Sequence, residues 1–251
     1  MSFRNWLLSN YPNPRIDGQF GLLHIISLLF IVAFIVTSTI LLRKTSEKTK
    51  RKVVFVLAGI ILFFEIARRV INLCKTTDYG INNILKILLP RPGCAISCWL
   101  VIIAVIVNKK YFYNFTSIIG ILCGLIFFIY PGTGYNNEYI LFENAYSIIT
   151  HTLFFTVSIC FITYKFTDFK YKTMWKELIC LVTLIVYVFL EIYVLKIEPD
   201  PFYFMPGNDV QKIVGFEYNL YLPCYIVFAI IFVNLFYFIP HLKNKKAHKL
   251  D

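Results

Sequence analysis

The sequence predicts an all-α polytopic membrane protein with seven transmembrane helices. Of its 251 residues, 58% are hydrophobic and only 16% are charged, whereas a soluble domain is about 45–50% apolar and about 25% charged. Apolar runs recur along the chain, and a membrane-spanning helix needs about 20 such residues. We expect a single transmembrane domain over residues 1–251, with a short outer segment at 1–19 and a cytoplasmic tail at 240–251.

Seven apolar runs, separated by charged or Pro- and Gly-containing connections, are the predicted spans. The third run contains Pro90, Pro92 and Gly93 near its start, and we expect these residues to break the helix there. In chain order the predicted spans are Phe20–Leu42, Val53–Leu73, Ile84–Val107, Phe112–Tyr130, Asn144–Tyr164, Glu177–Leu195 and Tyr218–Ile239.

The basic residues of the connections predict the orientation. Sixteen Lys and Arg residues lie in the connections 43–52, 108–111 and 165–176 and in the tail, against seven on the other side. Since cytoplasmic loops are enriched in Lys and Arg, we expect the N-terminus outside and the C-terminus in the cytoplasm. The net charge of +11 therefore reflects topology, and we expect no nucleic-acid partner.

Ionisable residues inside the predicted spans mark a candidate site, because charge in lipid is costly and usually faces a helix-bundle interior. Glu65 and Arg69 are spaced i, i+4 and can pair on one helix face. They form either a structural ion pair or a site for a lipid phosphate. Arg68 is interpreted as a snorkelling arginine, and Glu191 is expected to reach water near a helix end. The residues mapped to the outer half of the bilayer are His24, Glu65, Arg68, Arg69, Cys94, His151 and Glu191.

A cysteine and a histidine in this set suggest nucleophilic chemistry. Cys94 follows the Pro-Gly break, and a thiol becomes a nucleophile only as the thiolate, which requires a base. His151 lies at a similar predicted depth. The alternative is a packing cysteine and a structurally hydrogen-bonded histidine. Cys98, one turn after Cys94, is a second candidate nucleophile, and His24 is either an interfacial histidine or a supporting residue.

The 196–217 connection contains Pro199, Pro201 and Pro206, so we expect non-helical backbone there. It is either a lid over the outer mouth or an ordinary loop. The sequence lacks the glycine-rich nucleotide motifs and the HExxH and CxxC metal motifs. We therefore expect no cofactor and no metal.

Four segments, in order, carry a resemblance to a known family. FGLLHIISLLF at 20–30 opens the first span, LLPRPGC at 88–94 enters the third, and ENAYSIITHTLFF at 143–155 holds His151. PDPFYFMPGNDVQKIVG at 199–215 forms the last long connection. Together they resemble the YwaF-like family of bacterial integral membrane proteins, which is related to the eukaryotic transmembrane protein 164, an acyltransferase. The resemblance implies a location in a bacterial cell membrane.

The resemblance also implies a function and a set of site residues. The function is a membrane-embedded lipid acyltransferase or acyl hydrolase, with membrane lipids as partners, Cys94 as nucleophile and His151 as base. Two departures stand out: Pro92 replaces the histidine of many members, and Asp200-Pro201 replaces an Asn-Tyr pair. The residues assigned supporting or lipid-binding roles are His24, Glu65, Arg69, Cys98 and Asp200.

The alternative function is non-enzymatic: a small transporter or permease-like subunit, or a heptahelical receptor. A transporter is expected to have internal repeats or paired broken helices. The sequence shows one clear break, at Pro90–Gly93, which favours the enzyme.

Overall fold

The structure, a computed structural model, describes residues 7, 21–90, 93–129, 135, 141–197, 206–207 and 209–247. Within these residues the regular secondary structure is helical and there is no strand. The chain divides into two compact units, Met1–Phe166 and Thr167–Asp251. The all-α prediction is confirmed, and the single transmembrane domain stays a prediction.

Nine helices form the described part of the chain. The first unit contains α1 (Leu22–Leu42), α2 (Glu47–Lys75), α3 (Ile81–Leu88), α4 (Gly93–Val107), α5 (Lys110–Ile129) and α6 (Phe142–Thr163). The second unit contains α7 (Met174–Phe189), α8 (Asp209–Val214) and α9 (Tyr218–Ala247). A 3₁₀ turn, Tyr171–Thr173, precedes α7, and a π-helix, Leu190–Val194, follows it.

The described helices include five that are long and apolar enough to cross a membrane, and a sixth if α3 and α4 form one bent span. The five cover His24–Leu42, Lys110–Ile129, Phe142–Thr163, Tyr171–Val194 and Tyr218–His241. The predicted second span is a helix, α2, but it carries too many charges to qualify by composition. Seven spans and the predicted orientation therefore stay predictions.

Helix α2 is the longest element of the first unit, with 29 residues. Ser46 caps its start, because its hydroxyl accepts a hydrogen bond from the Thr49 amide at 3.2 Å. Lys75 in the last turn complements the negative end of the helix dipole. One stripe of α2 is buried, and it runs from apolar residues into an ion pair: Val54, Ala58, Ile61, Glu65 and Arg69.

The break predicted at Pro90–Gly93 is confirmed. Helices α3 and α4 meet there at an angle of 57°, and Pro90 provides no amide to continue the α3 hydrogen bonds. Arg91 and Pro92 lie outside the described residues. The break makes Gly93 and Cys94 the first residues of α4.

The core of the first unit lies between α2, α4, α5 and α6. Helix α2 packs on α4 and α6, α5 packs on the same two helices, and α1 packs on α6. About half of α5 and α6 is buried, whereas α1 buries only 6% of its apolar span. The apolar side chains of α1 therefore form a surface suited to contact with lipid.

Two glycines allow α5 and α6 to approach closely. A Cβ at Gly124 would lie 2.8 Å from the Cβ of Phe155, and one at Gly120 would lie 3.1 Å from the Cβ of Ser158. Gly120 and Gly124 are spaced as GxxxG, a pattern of close membrane-helix contacts. The Ser158 hydroxyl donates to the Thr116 carbonyl across the contact, at 3.5 Å.

The second unit departs from two expectations. Residues 209–214 of the 196–217 connection form α8, so the expectation of non-helical backbone throughout was wrong. The helix begins after Pro206, the last of the three prolines, where amides are again present to donate. Glu191 does not reach water: it is 1% exposed and accepts a hydrogen bond from the Tyr187 hydroxyl at 2.6 Å.

We predict that Gly124→Ala lowers the thermal unfolding temperature, because the added methyl group must displace Phe155. Overpacking of this kind costs about 1–3 kcal/mol. Gly59→Ala is the matched control: Gly59 also lies within a helix, and a Cβ there meets nothing within 4 Å. That control should unfold at or above the wild-type temperature in the same detergent. Equal unfolding temperatures for the two variants would contradict the close α5–α6 contact.

Candidate functional site

Glu65 and Arg69 form an ion pair buried in the first unit. The Arg69 Nη1 donates to the Glu65 Oε2 at 2.5 Å and to the Glu65 carbonyl at 2.9 Å. Glu65 is fully buried and Arg69 is 7% exposed. The predicted i, i+4 pairing is confirmed, and it offsets part of the cost of burying both charges.

Two neighbouring elements hold the Arg69 guanidinium in place. Its Nε donates to the Leu88 carbonyl at the end of α3, at 2.8 Å. The guanidinium carbon of Arg69 lies 5.3 Å from the centre of the Trp99 ring. Among the described residues, its Nη2 is buried without a hydrogen-bond partner. The helix break before α4 thus supplies a carbonyl acceptor that an uninterrupted helix would have used internally.

Tyr146 on α6 completes the environment of Glu65, because its hydroxyl donates to the Glu65 Oε1. Arg68 lies beside the same groups. Its guanidinium carbon is 5.3 Å from the centre of the Tyr146 ring, and its Nη2 is 4.0 Å from the Glu65 Oε2. The interpretation of Arg68 as a snorkelling residue does not describe these contacts, since the side chain is only 16% exposed.

Both candidate cysteines of α4 border this cluster. Cys98 faces Glu65 closely enough to interact with its carboxylate, and only 1% of Cys98 is exposed. Cys94, one turn earlier, neighbours Cys123 of α5 and lies within electrostatic range of Glu65. Cys94 as a residue is partly exposed, whereas Cys98 is buried.

His151 on α6 is buried and packs against α5. Its Nδ1 is 2.6 Å from the Ser147 carbonyl, a distance at which the ring nitrogen must carry the hydrogen and donate it. In the neutral ring the Nε2 is then the proton acceptor. This Nε2 is buried and has no hydrogen-bond partner within the described part of the chain. The ring stacks on Phe127, with centroids 3.6 Å apart and an interplanar angle of 16°.

Aromatic rings connect His24 to His151. His24 on α1 is fully buried, and its ring centroid lies 4.8 Å from that of Tyr135. Tyr135 lies 6.1 Å from Phe127, which stacks on His151. Burial raises the pKa of Tyr135, which lies outside the spans, so its hydroxyl stays neutral. Complete burial of His24 excludes contact with lipid headgroups, and its ring instead hydrogen-bonds to the backbone of Phe128 near the end of α5.

The structure brings most of the predicted site residues into two adjoining groups. Glu65, Arg69, Cys98 and Cys94 form the first group, and His151 and His24 belong to the second. In the described residues no hydrogen bond joins Cys94 to His151; Cys94 neighbours Cys123 and His151 stacks on Phe127, and these two residues are one turn apart on α5. Asp200 falls outside the described residues. No group of three metal-ligating side chains occurs among the residues that the structure describes.

Sequence reasoning missed Tyr146, Trp99 and Phe127. A signal for Tyr146 was available, because a tyrosine within an apolar helix needs a partner for its hydroxyl, and Glu65 is a carboxylate predicted at the same depth. Trp99 and Phe127 carried no such signal. Their contacts with Arg69 and His151 depend on how the helices are rotated against one another, which hydrophobicity alone does not determine.

This arrangement provides a carboxylate, two guanidinium groups, a phenol and two thiols near one end of α2, beside a neutral imidazole with an available acceptor nitrogen. Thiol and imidazole are the two components of nucleophilic acyl transfer. Guanidinium groups suit phosphate, which they bind through paired N–H donors. Both features are compatible with a phospholipid ester as a ligand.

We predict that Glu65→Gln destabilises the protein far more than Glu47→Gln. Both glutamates pair with an arginine four residues later on α2, but the Glu47 and Arg51 side chains are 67% and 40% exposed. Removing one partner of a buried pair costs about 3–5 kcal/mol, because the other charge is left uncompensated. An exposed pair contributes about 1 kcal/mol or less.

The measurement is the unfolding midpoint of each variant in detergent, with Glu65→Gln/Arg69→Gln as a third sample. The double variant should recover part of the loss, since it buries no unpaired charge. Similar losses for Glu65→Gln and Glu47→Gln would show that burial does not strengthen the pair.

Comparison with known proteins adds one match. A search of curated proteins and a search of solved structures each found no match. The model of the TMEM164 family matches residues 19–240, which includes every described helix of the site. With its apolar membrane-spanning helices, the chain is therefore an integral membrane protein that belongs to the TMEM164 family.

Proposed function

We propose that this protein is a membrane-embedded lipid acyltransferase or acyl hydrolase that works in the outer half of the bilayer through Cys94 and His151. The observation that carries the proposal is the state of His151: its Nδ1 is committed to the Ser147 carbonyl at 2.6 Å, which leaves Nε2 as a proton acceptor. Membership of the TMEM164 family supports the choice of a lipid ester as substrate.

Accessibility supports Cys94 as the nucleophile in preference to Cys98. A lipid carbonyl must reach the sulfur, and the residue Cys94 is partly exposed whereas the residue Cys98 is buried. Cys94 also lies directly after the break between α3 and α4. Cys98 remains the alternative nucleophile, one turn away.

His151 must approach Cys94 when a lipid is bound. Both residues lie beside α5: Cys94 neighbours Cys123, and His151 stacks on Phe127, one turn further along that helix. Catalytic hydrogen bonds often form only in the substrate complex. Because the Nδ1 bond to the Ser147 carbonyl sets the tautomer, the approach must move the Cys94 thiol toward Nε2 rather than rotate the imidazole away from that bond and from the Phe127 stack.

The chemistry proceeds in two halves. The thiol proton of Cys94 passes to the His151 Nε2, the sulfur bonds to the ester carbonyl carbon, and the carbon–oxygen bond to the lipid alcohol breaks. The departing oxygen takes the proton from His151, which leaves an acyl thioester. A hydroxyl group of a second lipid, or water, then gives its proton to His151 and attacks the thioester. The proton returns to the sulfur as the new ester or the free acid leaves.

The surrounding residues have supporting roles in this proposal. Arg69, with its unpartnered buried Nη2, binds a phosphate oxygen of the lipid headgroup. Glu65 fixes the guanidinium orientation, and His24 supports the aromatic rings that hold His151. Asp200 is assigned a lipid-binding role at the outer side. Pro92 stands where the family often has a histidine, so the base role falls on His151 in this chain.

We predict that a phospholipid labelled in its acyl chain transfers the label to the protein in lipid nanodiscs. Intact-protein mass spectrometry should detect the adduct in the wild type and in Cys74→Ala, the control for an exposed cysteine. Cys94→Ala should show none. His151→Gln should form it about 10²–10⁴ times more slowly, the usual contribution of a general base. Hydroxylamine should release the label, because it cleaves thioesters.

Two other outcomes would change the proposal. An adduct lost only in Cys98→Ala would move the nucleophile by one turn. Absence of both adduct and lipid turnover in every sample would overturn acyl transfer and favour a non-enzymatic membrane component, such as a transporter subunit or a receptor.

A further inference from the structure

A second polar region lies at the other end of α2, within the first unit and away from Cys94. There a cavity of about 370 Å³ is bounded by the start of α2, the α4–α5 connection and the residues after α6. The positive-inside pattern predicts that this end is cytoplasmic. The proposed acyl transfer does not involve this cavity, so the two proposals can fail separately.

Arg51 is held in a fixed orientation at the cavity wall. Its Nε and Nη2 donate to the Glu47 Oε1, at 2.9 and 2.6 Å, and its Nη1 donates to the Asn108 Oδ1. Its guanidinium carbon lies 5.2 Å from the centre of the Phe166 ring. These contacts use three of the five N–H donors of Arg51, and the Tyr113 hydroxyl is a further acceptor beside it, which leaves at least one donor for a ligand in the cavity.

Asn108 is itself fixed by its surroundings. Its Oδ1 also accepts from the Tyr113 hydroxyl at 3.0 Å, and its backbone has a φ of 53°, in the left-handed region that Asn tolerates better than most residues. Arg51, Asn108 and Tyr113 therefore form a connected polar wall that needs little reordering to accept a ligand.

The region is strongly basic. Lys52 lines the cavity beside Arg51, Lys109 and Lys110 follow Asn108, and Lys165 precedes Phe166. Glu47 is the only acidic residue in the 43–52 connection, which contains six Lys and Arg residues. The excess positive charge favours an anion.

The floor of the cavity is apolar and continues onto a lipid-facing surface. Val54, Phe55 and Val105 line it, and Phe55 is 65% exposed. A small soluble anion would gain nothing from this surface. A molecule with an anionic head and an attached hydrocarbon chain would contact both the basic wall and the apolar floor, and basic pockets between transmembrane helices bind such lipids.

We propose that this cavity binds the headgroup of an anionic phospholipid from the membrane leaflet on this side. Its phosphate accepts from a remaining Arg51 donor and from Lys52, and the first part of its acyl chain lies along Phe55 and Val105. The lipid thereby links the start of α2 to the α4–α5 connection.

Native mass spectrometry of the detergent-solubilised protein, titrated with dioctanoyl phosphatidylglycerol, tests the proposal. Lys52→Ala should weaken binding by roughly fivefold, the equivalent of one basic residue near anionic lipid. Lys48→Ala is the matched control, since it removes the same charge from an exposed position of α2 that does not line the cavity. Val105→Phe, which fills the floor without changing charge, should weaken binding as well.

Dioctanoyl phosphatidylcholine and glycerol 3-phosphate are the comparison ligands, and both should bind more weakly than phosphatidylglycerol. Equal losses for Lys52→Ala and Lys48→Ala would overturn the proposal in favour of diffuse charge attraction. Undiminished binding to folded Val105→Phe would remove the cavity as the site, and equal binding of glycerol 3-phosphate would remove the lipid as the occupant.

Discussion

The architecture of the first unit depends on the requirement that charges enclosed by apolar helices be paired. Glu65 has no exposure to solvent, and its carboxylate is satisfied by Arg69 on its own helix and by Tyr146 on α6. Arg69 in turn requires the Leu88 carbonyl, which is available only because α3 ends before Pro90. The ion pair therefore determines where α2, α6 and the α3–α4 break lie relative to one another.

Close helix contact is the second requirement, because lipid offers no hydrophobic driving force for helix association. Gly120 and Gly124 let α5 approach α6 at Ser158 and Phe155. The same face of α5 carries Cys123 and Phe127, the residues that border Cys94 and His151. The small residues thus allow the close contact that brings this face of α5 against α6.

The helices could be predicted from the sequence because membrane insertion leaves a simple signal, an apolar run of sufficient length. All seven predicted runs contain helix, and the break at Pro90 was predicted from the absence of an amide. The rotation of each helix about its own axis could not be predicted from these runs. The pairing of Glu65 with Arg69 followed from their spacing. The contact of Tyr146 with Glu65 could not be predicted, because it depends on which face of α6 meets α2.

Burial of Glu191 was mispredicted for a related reason. Its position near the end of an apolar run indicated contact with water. Instead, Glu191 lies in the π-helix at Leu190–Val194, and Tyr187, four residues earlier on α7, supplies its hydrogen-bond partner. π-Helical turns are often associated with functional sites. Hydropathy indicates how deep a residue lies in the membrane, but it does not indicate whether other helices of the protein enclose that residue.

The two ion pairs of α2 bear on whether this helix crosses the membrane. Glu47 and Glu65 are 18 residues apart in the sequence, which corresponds to five turns and about 27 Å along the axis, so both pairs lie on one face. That length is close to the thickness of a bilayer hydrocarbon core, about 30 Å. If α2 crosses the membrane, this spacing puts the exposed pair with Arg51 at one membrane surface and the enclosed pair with Arg69 near the other. The apolar part of α2 contains three charged residues, Glu65, Arg68 and Arg69, and both arginines lie within 4.0 Å of the Glu65 carboxylate inside the unit. The spacing of the two pairs supports α2 as the remaining predicted span.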